Sequence, residues 1–308
     1  MPLLRRKAVF AAKVETTIGT AESLSGTEGV FNAEEFDIQP NVTMTRREGQ
    51  GGFNYLASVP EGMTGTAKIR HAITYNGTDI PTWASVLLPA CGWVESTGVF
   101  SPKTEAPGSN VKTLTIGHYK DGKRALISGA MGTFKIVCPT GKMAYIEFTF
   151  TGKYSSNETD TAIISPTYPT ASALRFATGA LTWNSVALCT SNLEIDAGNS
   201  VIMRECVNAS DRSGYVSALV TNRAPIITAD PESVLVATQD RDAAWLTYTP
   251  YALSCQIGTS GSSVTVAAPK AQLENKQQGN RSDMLVDNLT WLATSASSVD
   301  GELTITFD

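Results

Sequence analysis

Phe36-Asp37-Ile38-Gln39-Pro40-Asn41-Val42-Thr43-Met44-Thr45-Arg46-Arg47-Glu48 alternates apolar and polar residues and runs into the glycine-rich stretch Gly49-Gln50-Gly51-Gly52. Alternation with a period of two marks a strand that buries one face. Leu193-Glu194-Ile195-Asp196-Ala197-Gly198-Asn199-Ser200-Val201-Ile202-Met203-Arg204-Glu205 does nearly the same and closes on the same Arg-Glu pair. Each stretch is followed, in the same order, by a short tryptophan-bearing helix signal, two or three strands and a late strand-loop-strand. A repeat of roughly 150 residues is far too long for a solenoid unit. The chain therefore reads as a domain duplication, with one β domain over 1–155 and a second over 156–308. Several copies of a β unit in one chain suit assembly better than catalysis.

Outward from these two stretches, strand and turn signals dominate. Thr66–Tyr75 resumes the alternation after a long segment, 48–62, that reads as a loop. Asp79-Ile80-Pro81-Thr82-Trp83 opens a short helix, with Asp79 as its cap and Pro81 in the first turn. Asp121-Gly122 marks a hairpin between Val111–Tyr119 and Lys123–Ser128. Pro139-Thr140-Gly141 marks a second, between Gly132–Cys138 and Met143–Thr151. Residues 153–180, rich in Ser, Thr, Pro and Gly, read as a linker. In the second half, strands are expected over 181–188, 192–203, 222–230, 251–257, 263–267, 271–275 and 284–294, with a helix over 240–249. The terminal strand Glu302–Phe307 has Leu303, Ile305 and Phe307 on one side and needs a sheet to join. The expected architecture is mainly β: two tandem antiparallel β-sandwich or barrel-like domains, each with one short helix.

The bulk numbers agree. With 308 residues, 42% hydrophobic and 17% charged, each half can bury a core. A net charge of −5 gives no basic footprint for gripping nucleic acid. The five cysteines are scattered without a CxxC, which reads as reduced, mostly packed thiols made in a reducing compartment. The apolar stretch Ala8–Ala12 stops at Lys13, too short for a signal-peptide core, and no segment is long and apolar enough to span a bilayer. Six Asn-x-Ser/Thr triplets, such as Asn41 and Asn288, reflect the Ser/Thr-rich strands.

Motifs for catalysis are missing. The two histidines, His71 and His118, lie singly in strands. No His/Cys cluster has metal-ligand spacing, no GxSxG occurs, and Gly49-Gln50-Gly51-Gly52 lacks the Lys-Ser/Thr of a phosphate loop. The reading is of a non-enzyme without cofactor or metal. Of the five tryptophans, Trp83 and Trp245 take equivalent helix positions and read as core.

Several strings resemble the major tail tube proteins of long-tailed bacteriophages. They are Leu4–Glu22, Ile38-Gln39-Pro40-Asn41, Glu48-Gly49-Gln50-Gly51, Leu87-Leu88-Pro89-Ala90-Cys91-Gly92-Trp93 and Gly129-Ala130-Met131-Gly132-Thr133-Phe134. The similarity runs through Ala268-Pro269-Lys270 and covers most of the chain. The resemblance implies a virion protein, assembled in the host cytoplasm, whose β-sandwiches join laterally around a lumen for genome ejection. Single-domain members form hexameric rings, so a tandem chain would reach pseudo-hexameric symmetry as a homotrimer. Implied partners are further copies of the chain, tail terminator, tail tip and tape-measure proteins, and double-stranded DNA in passage without specific binding. No membrane is implied.

Long loops would then stack the rings. The matched segments Arg46–Gly65 and Glu205–Asn222 are the expected stacking loops, with Arg47, Glu48, Gln50, Phe53, Tyr55, Arg204, Glu205, Arg212 and Tyr215 in or beside them. Duplex DNA carries one negative charge per ~1.7 Å, so a basic bore would hold it and an acidic or polar one would let it slide. Asp37, Gln39, Glu194, Asp196 and Asp287 are the expected lumen-facing residues. The other reading is a β-sandwich that binds receptor or carbohydrate at a tail tip, which would need exposed aromatics converging on one groove.

Overall fold

The computed structural model describes residues 3–27, 29, 31–154, 156–209, 211–295 and 299–308. Ser155, at the expected domain boundary, and Ser210, in the expected stacking loop Glu205–Asn222, lie outside these, as do Met1, Pro2, Glu28 and Val30. The first half contains β1 (Ala8–Val14), β2 (Glu35–Glu48), β3 (Tyr55–Ala72), helix α1 (Thr82–Leu87), β4 (Trp93–Ser96), β5 (Val99–Pro102), β6 (Leu114–Lys120), β7 (Lys123–Pro139), β8 (Tyr145–Lys153) and β9 (Thr159–Asp160). The second contains β10 (Leu181–Trp183), β11 (Val186–Ala187), β12 (Asn192–Asp196), β13 (Asn199–Glu205), β14 (Tyr215–Arg223) and β15 (Ile226–Ala229). Helix α2 (Arg241–Leu246), β16 (Tyr251–Thr259), β17 (Ser262–Arg281), β18 (Met284–Thr294) and β19 (Thr304–Phe307) complete it. The protein is mainly β, every ladder is antiparallel, and no barrel closes among the described residues.

Two long strands organise the fold. β7 pairs with β6 over Lys123–Ala130 and with β8 over Met131–Val137, so one strand serves both layers of the first half. The change of layer occurs at a bulge between Ser128 and Met131, where Gly129 takes φ +59° and a Cβ would meet the Ser217 backbone at 3.0 Å. The expected strands 123–128 and 132–138 are therefore one. β17 does the same in the second half, pairing with β16 over Ser262–Ala271 and with β18 over Lys270–Arg281. It likewise fuses the expected strands 263–267 and 271–275.

The inner layer of the first half runs β2-β3-β8-β7 and that of the second runs β12-β15-β18-β17. The two are hydrogen-bonded to each other, because Asn192–Asp196 of β12 pairs with Pro139–Lys135 of β7. One eight-stranded sheet thus crosses the whole molecule. The other layers are β1-β6-β7 in the first half and β10-β16-β17 in the second. β19 finds its sheet between β17 and β5, placing Phe307 against Tyr75, Trp83 and Phe100 of the first half.

One core runs through both halves, with Phe134, Phe148, Trp93, Trp183, Trp291 and Leu193 all buried in it. Each such side chain contributes about 1.5–3 kcal/mol by leaving water. The segment expected as a linker lies along this body: Leu174 and Phe176 are buried, and Thr74 and Met143 bridge to Ala173 and Arg175.

Several local expectations need correction. The expected strand 192–203 breaks at Gly198, which takes φ +63°, into β12 and β13 of different sheets, and the expected strand 181–188 is the short hairpin β10–β11. Asp79 does not cap α1; the helix starts at Thr82 after Pro81, without a side-chain cap, while Asp240 does cap α2 by accepting from the Ala243 amide. The segment 48–62 is not an irregular loop, since β3 begins at Tyr55 and only 49–54 separates it from β2. The segment 205–222 narrows in the same way, because β14 starts at Tyr215.

Candidate functional site

The inner sheet has one apolar and one polar face, as the alternation at 36–48 requires. Phe36 and Ile38 turn towards the core, so Glu35, Asp37 and Gln39 turn the other way. Register extends this second face across the molecule: Asp37 lies opposite Lys68, Lys68 opposite Thr149, and Thr149 opposite Thr133. The row through Glu35, Arg70, Glu147, Lys135 and Asp196 crosses the β7–β12 joint. Beyond it the face continues through Glu194, Asn192, Thr228 and Thr290, and sinks into a concavity of about 350 Å³ that also has Asn275, Gln277 and Asn288 in its wall.

Asp37, Gln39, Glu194 and Asp196 therefore share one continuous polar face. Asp287 does not belong to it. Its side chain is buried in the opposite direction, 2.6 Å from Arg241 of α2. The Arg241 guanidinium, itself buried, also donates to Gln239 and the Glu232 carbonyl. The alternation of 284–294 does not reveal this ion pair, because the cation comes from a helix, 46 residues upstream of Asp287.

The polar face carries Glu35, Asp37, Glu147, Glu194 and Asp196 against Lys68, Arg70 and Lys135, so it leans acidic. Two of its three cations are held in place: Lys135 lies 2.5 Å from Glu194, which raises its pKa, and Arg70 lies 3.5 Å from Glu34 and stacks 3.7 Å over Tyr145. A cation already paired to a protein carboxylate has less field left for a polyanion.

Two hairpins leave this sheet. β2–β3 projects into solvent beyond Pro40, with Val42, Met44, Arg47, Glu48, Gln50, Phe53, Tyr55 and Val59 all exposed. β13–β14 instead folds over the first half. Val201, Met203 and Val220 pack with Ala218 against Val111 and Met131. Asn199 donates its amide to the carbonyls of Cys91 and Gly132 at 2.8 and 2.9 Å. Near the tip, Asp211 accepts from the buried Lys153 at 2.7 Å and Arg212 donates to Asn157. Arg204 and Glu205 are exposed, and Tyr215 is half-buried.

The remaining polar groups hold the scaffold. The Glu15 carboxylate is buried and accepts from the Gly19 and Gly129 amides and the Thr113 and Thr115 hydroxyls, at 2.6–2.9 Å. His118 packs edge-on to Phe36, 3.9 Å from Asp37. Burial, seconded by Lys120 and opposed by Asp37, lowers its pKa to about 4. His71 is buried beside Trp83. Trp83, Trp93, Trp183 and Trp291 are buried and Trp245 is packed on the core, so they offer no stacking platform. Among the described residues no three of His, Cys, Asp and Glu stand close enough to hold a metal ion, and no helix is long and apolar enough to cross a membrane. No protein-family model matches the chain, and no curated protein matches it in sequence.

Proposed function

We propose that this chain is a structural, non-enzymatic subunit of a hollow tube, the tail tube of a long-tailed bacteriophage. Three copies form a ring of six similar sectors, and stacked rings make a virion conduit through which the genome leaves. The observation that carries this reading is the joint between β7 and β12. It shows, inside one chain, how the inner sheet of one unit continues into that of the next. The two outer edges of the eight-stranded sheet are the same two edges again. Glu35–Gln39 of β2 matches Asn192–Asp196 of β12, and Gln277–Arg281 of β17 matches Lys135–Pro139 of β7. Among the described residues β2 pairs only with β3, and Gln277–Arg281 only with β18. Open sheet edges recruit other chains unless they are covered.

An edge that accepts the opposite edge of a second copy gives a head-to-tail contact, and repeated head-to-tail contacts close into rings. Leu235, Val236, Met284 and Leu285 are exposed apolar side chains in the second half of the molecule. The acidic-leaning polar face supplies a bore wall that does not hold DNA. The hairpin tips, with Phe53 fully exposed, supply contacts to the next ring. Terminator, tip and tape-measure proteins would meet the tube at its ends and along its bore.

Mass photometry of the purified chain across a concentration series tests this. Three-chain rings, and multiples of them at higher concentration, are expected. A chain that stays monomeric at all accessible concentrations overturns the proposal.

A further inference from the structure

The two hairpins start from equivalent places and end in different surroundings. Glu205 pairs with Tyr215 at the tip of one, as Glu48 pairs with Tyr55 at the tip of the other. Four residues back from each glutamate, Val201 pairs with Val220 and Met44 with Pro60. Val201 and Val220 are packed on the first half beside Val111 and Met131. Met44 is 54% exposed, and Val42 and Val59 are 40% and 44% exposed.

The surface that receives the docked hairpin also has a counterpart. Leu114 pairs with Ala130 in the first half, and Tyr251 with Ala271 in the second. Three residues before Leu114 stands Val111; three before Tyr251 stands Tyr248, which is 73% exposed, with Leu246 nearby at 70%. One exposed apolar arm at one end of the sheet thus corresponds, at the other, to the exposed Leu246 and Tyr248, with Gln272 in the place of Met131.

We propose that the stem of the β2–β3 hairpin docks sideways onto the second half of an adjacent copy in the same ring, with Met44 and Pro60 against Tyr248. The occupant is a second copy of this chain, because the relation that seats β13–β14 on the first half is the one that repeats when β17 of one copy meets β2 of the next. The docked stem then braces each lateral joint, and only the tip 49–54 remains for the neighbouring ring. This inference rests on the ring assembly proposed above.

The test is site-directed cross-linking of Met44→Cys with Tyr248→Cys, in a background carrying Cys189→Ser and Cys206→Ser, with a short bismaleimide applied to assembled protein. Cys189 is exposed and Cys206 half-buried, so both are removed first. A lateral bond in a closed ring gives covalent species that stop at three chains on a denaturing gel. A ladder continuing past three places the stem between rings and overturns the inference, as does assembled tube with no 44–248 bond. In both cases the tube reading survives; parent protein that never assembles sinks both. As a second measurement, Met44→Lys should raise the concentration needed for ring formation about tenfold or more, through one lost apolar contact and one buried charge. Adding Tyr248→Asp to it should restore assembly, and no rescue contradicts the contact.

Discussion

Single side chains tie distant parts of this fold together. Asp287 is the clearest case, because its removal leaves the Arg241 guanidinium buried with its charge uncompensated. Asp287→Ala should cost about 3–5 kcal/mol in urea unfolding, and a loss under about 1 kcal/mol would mean the pair is solvated. Protons act at other sites. The unfolded chain protonates a histidine near 6.5, whereas His118 in the fold resists until about 4, so stability falls as pH drops through that window. Burial works to raise the Asp230 pKa, yet donors from Ser191, Thr190 and the Asn192 amide outweigh it and bring it to about 2. Its contribution is complete above the ordinary value of 3.8 and disappears as pH falls towards 2. Melting temperature should therefore decline in two stages below neutrality, and His118→Gln should reduce the upper stage alone, the rest of which belongs to His71, whose burial also lowers its pKa. A melting temperature indifferent to pH between neutrality and 4 would contradict this.

At the scale of elements, the β2–β3 tip is predicted to act between rings and to do little for folding. Replacing residues 49–54 with Asn-Gly keeps the Glu48–Tyr55 pair and suits a two-residue hairpin turn. This variant should melt like the parent and form three-chain rings that do not stack; normal tubes would refute the assignment. The inner wall offers a second test. Changing Asp37, Glu194 and Asp196 together to Lys should leave rings intact but make tubes retain duplex DNA, with binding that falls steeply as salt rises. Parent tubes should retain none. The polar face was legible in the sequence because β2 and β12 each bury one side, so Asp37, Gln39, Glu194 and Asp196 fall together. The first part of β3 was not, because residues 55–61 bury nothing and Pro60 and Gly62 resemble loop residues. Nor were the junctions within β7 and β17, where one strand changes layer at a bulge and a break in alternation looks like a turn.

For the whole molecule, the decisive feature is the eight-stranded sheet made from two four-stranded halves, with an equivalent edge open at each side. A chain built this way carries one formed joint and, in the proposed ring, would supply half of another at each end. Electron cryo-microscopy of the assembled particles, in cross-section, is the experiment to make. We predict an axial pore bounded by three chains in six similar sectors, with β17 of each chain paired to β2 of the next and Asp37, Gln39, Glu194 and Asp196 on its wall. Particles without a pore, or a pore walled mainly by lysine and arginine, would contradict it.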